Sequence, residues 1–238
     1  MAAAQNQTRN QTQNQVQNQA RQKDWKRWHD AYDDPSSPLS IRLALVQAHL
    51  SIALAIAPTG PIRLVSLCAG QGRDVLGVLP GHPRRADVSA VLVEYDPRNV
   101  AMAAEHATAQ NLSSVEVREA DAGLVSNYAD VLPADVLMLC GIFGNISDED
   151  IHRTVTASAS MCAPGGTVLW TRHRRAPDLT DDVRSWFEAA GFAEVAFYAP
   201  PSATLIGMGV QRLAGGQSAT PSAELATERL FSFMPARA

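Results

Sequence analysis

The chain has few cysteines and little net charge, and these two shortages narrow the classes of function open to it. Cys68, Cys140 and Cys162 are an odd number at wide spacings, unlike a disulfide framework or the close pairs of a zinc site. The 20 basic and 24 acidic residues give a formal net charge of −4, whereas a nucleic-acid backbone is bound by a clustered excess of Lys and Arg. We therefore expect a small-molecule partner rather than nucleic acid, in a reduced cytoplasm.

Two further absences concern secretion and membranes. The chain does not open on a charged segment followed by an apolar one, as a secretory leader would. It shows no apolar run approaching the roughly 18 residues of a membrane helix, so no membrane partner is expected. Residues 1–22 are almost wholly Gln, Asn and Thr and offer nothing to bury, which predicts a disordered leader.

Composition divides the rest of the chain into three parts. We predict an N-terminal helical cover at 23–58, a main domain at 59–214 and a flexible tail at 215–238, where Gly, Ser, Thr and Pro dominate. The apolar stretch 230–234 is unusual for a flexible linker. It is expected to dock on the domain or on a partner chain, which leaves a homodimer open.

The cover carries aromatic residues at helical spacing. Trp25, Trp28 and Tyr32 fall on one face, with His29 beside them. Two interpretations stay open: a short amphipathic helix that packs on the domain, or a lid that carries Tyr32 and His29 over a reactive centre. Arg42, on the next predicted helix, is interpreted as a solvated or ion-paired arginine.

From residue 62 onward, short apolar runs alternate with segments of helical periodicity. Strands are predicted at 62–67, 88–94, 115–118, 135–140, 166–171, 193–198 and 205–212, and helices at 39–57, 73–79, 97–110, 148–161 and 178–190. Strands joined through helices lie parallel, with helices on both faces of the sheet. Only a short stretch joins the last two strands, so they should pair antiparallel. The pattern predicts an α/β, Rossmann-like, doubly wound sheet of seven mostly parallel strands.

Two glycines, Gly70 and Gly72, follow the first predicted strand, and a helix-compatible segment comes directly after them. Glycine lets a backbone approach a ligand closely, and the N–H groups of the next helix turn favour polar or anionic groups. A dinucleotide fingerprint requires a third glycine where this chain has Val75, and a phosphate loop requires Gly-Lys-Ser/Thr where it has Arg73 and Asp74. This nucleotide site is therefore not typical of a dehydrogenase or a P-loop enzyme.

The stretch Ser66 to Gly72 (SLCAGQG) resembles the first motif of class I S-adenosylmethionine-dependent methyltransferases, acidic-x-Gly-x-Gly-x-Gly. The resemblance covers residues 60–213 and implies that family's fold, with the seventh strand antiparallel at the sheet edge, and S-adenosylmethionine as cofactor. It implies cofactor contacts at Ala69, Gly70, Gln71 and Gly72. The chain departs from the motif at the acidic position, Ser66, and at the first glycine, Cys68.

A carboxylate at the end of the second strand, about 20 residues beyond the glycines, can accept both ribose hydroxyls of a nucleotide. Glu94 and Asp96 compete for this role. Asp96 precedes Pro97 and is therefore typical of a helix N-cap, whereas Glu94 has no such local duty. We predict Glu94 as the ribose ligand, with Tyr95 against the adenine.

The resemblance implies cofactor contacts in two more loops. Asp121 and Ala122 follow the third strand, where the family receives the adenine edge with a carboxylate and the next backbone N–H. Cys140 and Gly141 follow the fourth strand, where the loop passes beneath the methionyl group. Asn145 has no clear local duty. The loop lacks the Asn/Asp-Pro-Pro-aromatic motif of enzymes that methylate base amines, which argues against DNA bases as substrates.

A basic cluster, RHRR, ends the fifth strand at residues 172–175. It is either a solvated rim or a group facing the substrate, in which His173 or an arginine serves as base or clamp. His29, Tyr32 and His173 are therefore the candidates for a general base or positioning group.

The leading hypothesis is a cytoplasmic methyltransferase acting on a small, secondary-metabolite-like acceptor. An RNA or protein methyltransferase is an alternative, supported by the arginine cluster and opposed by the acidic total. A catalytically silent adenosylmethionine-binding protein is an alternative outside the enzymes, and the departures at Ser66 and Cys68 favour it.

Overall fold

One seven-stranded sheet organises the protein. A computed structural model describes residues 30–200, 206–215 and 223–234. The strands are β1 (Ile62–Leu67), β2 (Val88–Glu94), β3 (Val115–Glu119), β4 (Ala134–Leu139), β5 (Cys162–Arg172), β6 (Phe192–Tyr198) and β7 (Gly207–Leu213). Their spatial order is β3-β2-β1-β4-β5-β7-β6. β1 to β5 pair in parallel, and β7 is antiparallel to β5 and β6, so the predicted fold class is confirmed.

The α-helices of the described residues are α1 (Pro38–Ile56), α2 (Arg73–Val78), α3 (Pro97–Ala109), α4 (Asp148–Met161) and α5 (Thr180–Ala189). Ser37, Asp96 and Ser147 precede α1, α3 and α4, and each side chain accepts a hydrogen bond from a backbone N–H of the first helical turn. Such caps satisfy donors that the helix leaves without partners. Asp96 is therefore an N-cap, as its position before Pro97 predicted.

The two faces of the sheet bury separate hydrophobic cores. Ile62 and Leu64 of β1 pack on the face covered by α1, α2 and α3. Val65 and Leu67 pack on the opposite face, against α4 and α5. This alternation follows from the two-residue period of a strand, and it explains why the central strands are apolar throughout.

No α-helix connects β3 to β4, whereas α4 connects β4 to β5. The connection contains two short 3-10 turns, Val125–Asn127 and Ala129–Val131. The C-terminal segment, residues 223–234, covers this part of the sheet, and its Leu225, Leu230 and Phe231 are buried in the core. This part of the chain differs from the flexible tail expected at 215–238 and agrees with the expectation that the apolar stretch docks on the domain.

Helix α1 corrects the expectation that no apolar run approaches the length of a membrane span. It has 19 residues, its most apolar window has a mean hydropathy of 1.7, and by length and composition alone it could cross a membrane. The core helix of a soluble protein meets the same criterion. Val46, Leu50 and Leu54 pack against the sheet, whereas Ile52 is about half exposed, at 51%. The inward face of α1 is therefore a packing surface for the domain.

The predicted N-terminal cover is described only from Asp30 onward. Asp30–Asp33, which includes Tyr32, forms a 3-10 turn rather than part of an α-helix. The Ser37 hydroxyl donates to the carbonyl oxygen of Ala31 at 2.6 Å and so ties this turn to the start of α1. Trp25, Trp28, His29 and the predicted leader at 1–22 lie outside the described residues.

Candidate functional site

The turn after β1, residues 68–72, contains three left-handed residues at alternate positions. Cys68, Gly70 and Gly72 have φ angles of 54°, 57° and 67°. Glycine adopts such angles readily, whereas a residue with a Cβ is strained there. Cys68 therefore takes the conformation of the glycine that it replaces in the motif, and the glycine turn keeps its shape despite this departure.

Glu94 lies directly across from this turn. The Gly70 N–H donates to its Oε2 at 2.8 Å, and the Asp96 N–H donates to its Oε1 at 2.8 Å. The residue is only 7% exposed. Burial raises the pKa of Glu94, although these two N–H groups and the side chain of Asn99 lower it. The result is a buried, oriented carboxyl group at the carboxyl edge of the sheet.

The loop after β3 is joined to the end of β2. The Ala120 N–H donates to the Glu94 carbonyl oxygen at 2.9 Å, so the two predicted cofactor loops are neighbours. The Asp121 Oδ1 accepts from the Gly123 N–H at 2.8 Å, and its Oδ2 accepts from Arg229 at 2.9 Å. Ala122 is buried, whereas Tyr95 is 69% exposed. The predicted adenine side thus has an oriented carboxylate and an accessible aromatic ring.

Gly141 shapes the loop after β4. It has a φ angle of 81°, and its N–H donates to the Thr171 hydroxyl at 2.9 Å. The Asn145 side chain donates to the Gly141 carbonyl oxygen at 2.8 Å, so Asn145 has a local duty that its sequence context did not reveal. Burial raises the pKa of the Cys140 thiol, and the negative charge of Asp74 raises it further. Cys140 is therefore a neutral group rather than a thiolate nucleophile.

Tyr32 lies beside the glycine turn, a position compatible with both the packing and the lid interpretations. Its hydroxyl accepts a hydrogen bond from Arg42 at 2.5 Å, and the Arg73 guanidinium lies 5.3 Å from the centre of its ring. Arg73 also pairs with Asp33 at 3.2 Å and donates to Gln71 Oε1 at 2.9 Å. The N-terminal turn is thus fastened to the motif by several independent contacts.

Sequence reasoning did not assign Asp74 to the site and interpreted Arg42 as a solvated or ion-paired residue. Burial raises the pKa of Asp74, and the charge of Arg42 opposes this shift. Asp74 in turn raises the pKa of the Tyr32 phenol, which burial raises most. The position of Asp74 at the start of the helix after the glycines was the sequence signal that could have identified it as a site residue.

Ser66, at the motif's acidic position, is buried in β1 at 2% exposure.

His173 lies against the loop after β4. A Cβ built on Gly144 would lie 2.9 Å from its Cδ2, so the glycine allows the ring to approach the backbone. Burial lowers the pKa of His173, and the positive charges of Arg172 and Arg175 lower it further. The imidazole is therefore neutral at pH 7 and able to accept a proton.

The arginines of the basic cluster are partly neutralised by acids. Arg172 is buried and lies 4.0 Å from Asp148, and Arg174 pairs with Asp178 at 3.2 Å. Within the described residues, Nε and Nη1 of Arg172 are buried without a hydrogen-bond partner, so the long contact with Asp148 offsets its charge only in part. The two acids nevertheless reduce the positive field that the cluster offers to an acidic partner.

Solved structures of low sequence identity share this fold. Magnesium protoporphyrin IX methyltransferase from Synechocystis PCC 6803, solved with bound SAM, matches with a TM-score of 0.63 at 10% identity, over 82% of this chain and 93% of that chain. The 1,6-didemethyltoxoflavin-N1-methyltransferase of Burkholderia thailandensis, solved with 1,6-didemethyltoxoflavin and S-adenosylhomocysteine, has a TM-score of 0.56 at 16% identity, over 80% and 84%. The fibrillarin pre-rRNA processing protein of Methanococcus jannaschii has a TM-score of 0.51 at 18% identity, over 72% and 76%.

The chain also matches parts of longer solved structures and one protein family. The chain spans between 57% and 67% of three further solved structures that it matches, and no curated protein matches its sequence. Residues 39–185 match a protein family described as "Putative methyltransferase". That match covers more than half of the chain, and the sheet order is that of class I methyltransferases. The chain therefore belongs to this methyltransferase family.

Proposed function

We propose that the protein is an S-adenosylmethionine-dependent methyltransferase that acts on a small-molecule acceptor. The observation that carries the proposal is the pairing of the glycine turn with Glu94. Its buried carboxyl group is held by the Gly70 and Asp96 N–H groups at 2.8 Å each. A carboxylate fixed in this way next to a left-handed glycine turn is suited to binding the ribose hydroxyls of a nucleoside.

The residues around this pair fit the rest of the cofactor. The turn at Gly70 and Gly72 allows a ligand to approach the backbone. Asp121 and the Ala122 N–H offer an acceptor and a donor for the adenine edge, and the exposed Tyr95 ring is available beside them. S-adenosylmethionine, when bound, supplies a methyl group on a sulfonium, and the neutral thioether that remains after transfer is a good leaving group.

The methionyl end requires a partner for an amine and a partner for a carboxylate. Ser66 lacks the carboxylate that the family's motif provides at this position. Asp74 and Arg42 interact with each other and lie beside Tyr32 and Cys140. They offer the negative and the positive charge that an amino-acid group needs, so we assign Asp74 to the amine and Arg42 to the carboxylate.

Tyr32 and His173 are the candidate groups on the acceptor side. Methyl transfer is an in-line displacement, so the protein contributes mainly by aligning the nucleophile and excluding water. Tyr32, fastened by Arg42 and Arg73, covers the turn. The neutral imidazole of His173 is able to take a proton from the acceptor. His29 stays a candidate outside the described residues.

A small acceptor is favoured over RNA by charge. The net charge is −4, and the cluster at 172–175 is partly paired with Asp148 and Asp178, whereas RNA binding calls for unpaired basic groups along the backbone. The likeness to a fibrillarin supports the RNA alternative only at the level of fold. Salt-dependent binding of RNA would favour that alternative.

Calorimetry with S-adenosylmethionine and S-adenosylhomocysteine tests the proposal. The protein should bind both, and Glu94→Ala should weaken binding by about tenfold or more, because a hydrogen-bonding carboxylate is lost. Asp96→Asn is the matched control, since asparagine is also a good N-cap, and it should bind as the wild type does. Absence of binding by the wild type would overturn the proposal. Methyl transfer to components of a cell extract separates an enzyme from a silent binder.

A further inference from the structure

The C-terminal segment runs along the loops after β3 and β4. Leu124 and Arg229 form an antiparallel bridge. The Leu230 N–H donates to the Gly123 carbonyl oxygen at 2.8 Å, and the Met234 N–H donates to the Asn145 carbonyl oxygen at 2.8 Å. The segment is thus hydrogen-bonded to both loops that flank the proposed cofactor site.

The approach of the segment to the β3 loop is close enough to require a glycine. A Cβ at Gly123 would collide with the Phe231 carbonyl oxygen. Leu230 and Phe231 are 0% and 1% exposed, so their burial anchors the backbone on either side of this contact. Arg229 immediately precedes this anchored pair, and its backbone position is therefore defined by the core.

Arg229 and Gly123 together hold both oxygens of Asp121. The Gly123 N–H donates to Oδ1 at 2.8 Å, and Arg229 Nη1 donates to Oδ2 at 2.9 Å. Arg229 Nη1 also donates to the Phe231 carbonyl oxygen at 3.3 Å, which fixes the guanidinium from its own segment. A carboxylate has about four acceptor positions. Two donors therefore fix the plane of the Asp121 carboxylate and leave acceptor positions for a ligand.

We propose that Arg229 is a positioning residue for adenine recognition: it fixes the Asp121 carboxylate so that a free acceptor position faces the 6-amino group. The inference rests on the proposed function, because it takes the β3 loop as the adenine site. The consequence is that a segment outside the seven-stranded sheet contributes to the choice of base.

The proposal concerns base preference, which can be measured apart from overall affinity. Adenine presents an N–H donor at position 6 and an acceptor at N1, whereas hypoxanthine presents an acceptor and a donor. The Asp121 carboxylate and the Ala122 N–H match adenine and oppose hypoxanthine at both positions. The ratio of the Kd of S-inosylhomocysteine to that of S-adenosylhomocysteine, which we term the adenine preference, reports this match.

The experiment measures both ligands by calorimetry on the full chain. Asp121→Ala should lower the adenine preference by roughly tenfold or more, because it removes a charged acceptor. Arg229→Met should lower it by about two- to fivefold, the range expected for loss of a partly exposed ion pair. Arg229→Lys should restore part of the loss. A general destabilisation of the fold would weaken the binding of both ligands equally and leave the adenine preference unchanged.

Arg153→Met is the matched control. Arg153 donates to the Leu230 carbonyl oxygen at 3.3 Å and so contacts the same segment without reaching Asp121. It should keep the wild-type adenine preference. The proposal is overturned if Arg229→Met keeps the wild-type ratio, or if Arg153→Met lowers it as much. A wild type that fails to bind S-adenosylhomocysteine would instead refute the proposed function itself.

Discussion

The Arg42 guanidinium donates a hydrogen bond of 2.5 Å to the Tyr32 hydroxyl and thereby connects the N-terminal turn to α1. Both residues lie beside Asp74, which is in the first turn of α2, the helix that follows the glycine turn. Three side chains from separate parts of the chain thus converge at the proposed methionyl end.

This convergence predicts the effect of Arg42→Met on ligand choice. 5′-Methylthioadenosine lacks the amino-acid group of S-adenosylhomocysteine, so only the latter can use Arg42. The variant should weaken the binding of S-adenosylhomocysteine by about tenfold, the effect of a lost charge-assisted hydrogen bond. The affinity for 5′-methylthioadenosine should stay unchanged. Arg63→Met, which removes an exposed pair with Asp135 at the opposite end of the domain, is the control. Equal weakening of both ligands by Arg42→Met would contradict the assignment.

Cys68 predicts a contrast between two substitutions. Its φ angle of 54° is accessible to glycine and strongly disfavoured for a β-branched residue. Cys68→Gly should change the free energy of unfolding by less than about 1 kcal/mol, because relief of strain offsets the greater flexibility of the unfolded chain. Cys68→Val should destabilise by about 2 kcal/mol, because the branched Cβ is strained at this φ angle. Urea denaturation measures both, and equal losses would show that packing, not backbone conformation, dominates here.

Gly72→Ala should damage the glycine turn. An added Cβ would lie 2.9 Å from Leu76 Cδ1 and 3.0 Å from Leu92 Cδ1, at a φ of 67°. We expect a loss of about 1–3 kcal/mol in unfolding free energy and weaker binding of S-adenosylhomocysteine. A Cβ at Gly81 would meet nothing within 4 Å, so Gly81→Ala is the control and should stay close to the wild type in both measurements.

His173 predicts a dependence of stability on pH. Burial and the neighbouring arginines lower its pKa below the usual 6.5, so between these two values the unfolded chain binds more protons at this residue than the folded chain does. The contribution of His173 is therefore fully present above pH 6.5 and is lost as the pH falls through the folded pKa. Between pH 7 and pH 5, the free energy of unfolding should fall less for His173→Gln than for the wild type. An identical fall in both proteins would be inconsistent with the lowered pKa.

The C-terminal segment should contribute to global stability. Leu230 is fully buried and Met234 is 42% exposed. Leu230→Ala should destabilise the fold by about 2–4 kcal/mol through lost burial and the cavity left behind, whereas Met234→Ala should cost less than about 1 kcal/mol. Thermal denaturation of both variants tests this, and a small effect of Leu230→Ala would mean that the segment detaches readily in solution.

Local patterns were sufficient for most of the sheet. The predicted bounds of β1 and β2 agree with the structure at every residue, because short, mostly apolar runs between turn residues are recognised without knowledge of distant contacts. β5 begins at Cys162 rather than at residue 166, since the stretch before Gly166 pairs with β4 at Ala134. That pairing is a long-range contact which periodicity does not report.

The sequence by itself determined the fold class, the position of the glycine turn and the role of Asp96 as a helix N-cap, because each depends on residues close in the chain. Only the tertiary structure decided which distant groups meet. It brought Arg42 to Tyr32, Arg229 to Asp121 and Leu230 into the same core as the connection from β3 to β4. Such contacts follow from packing of the whole chain against two sheet faces, and local spacing carries no information about them.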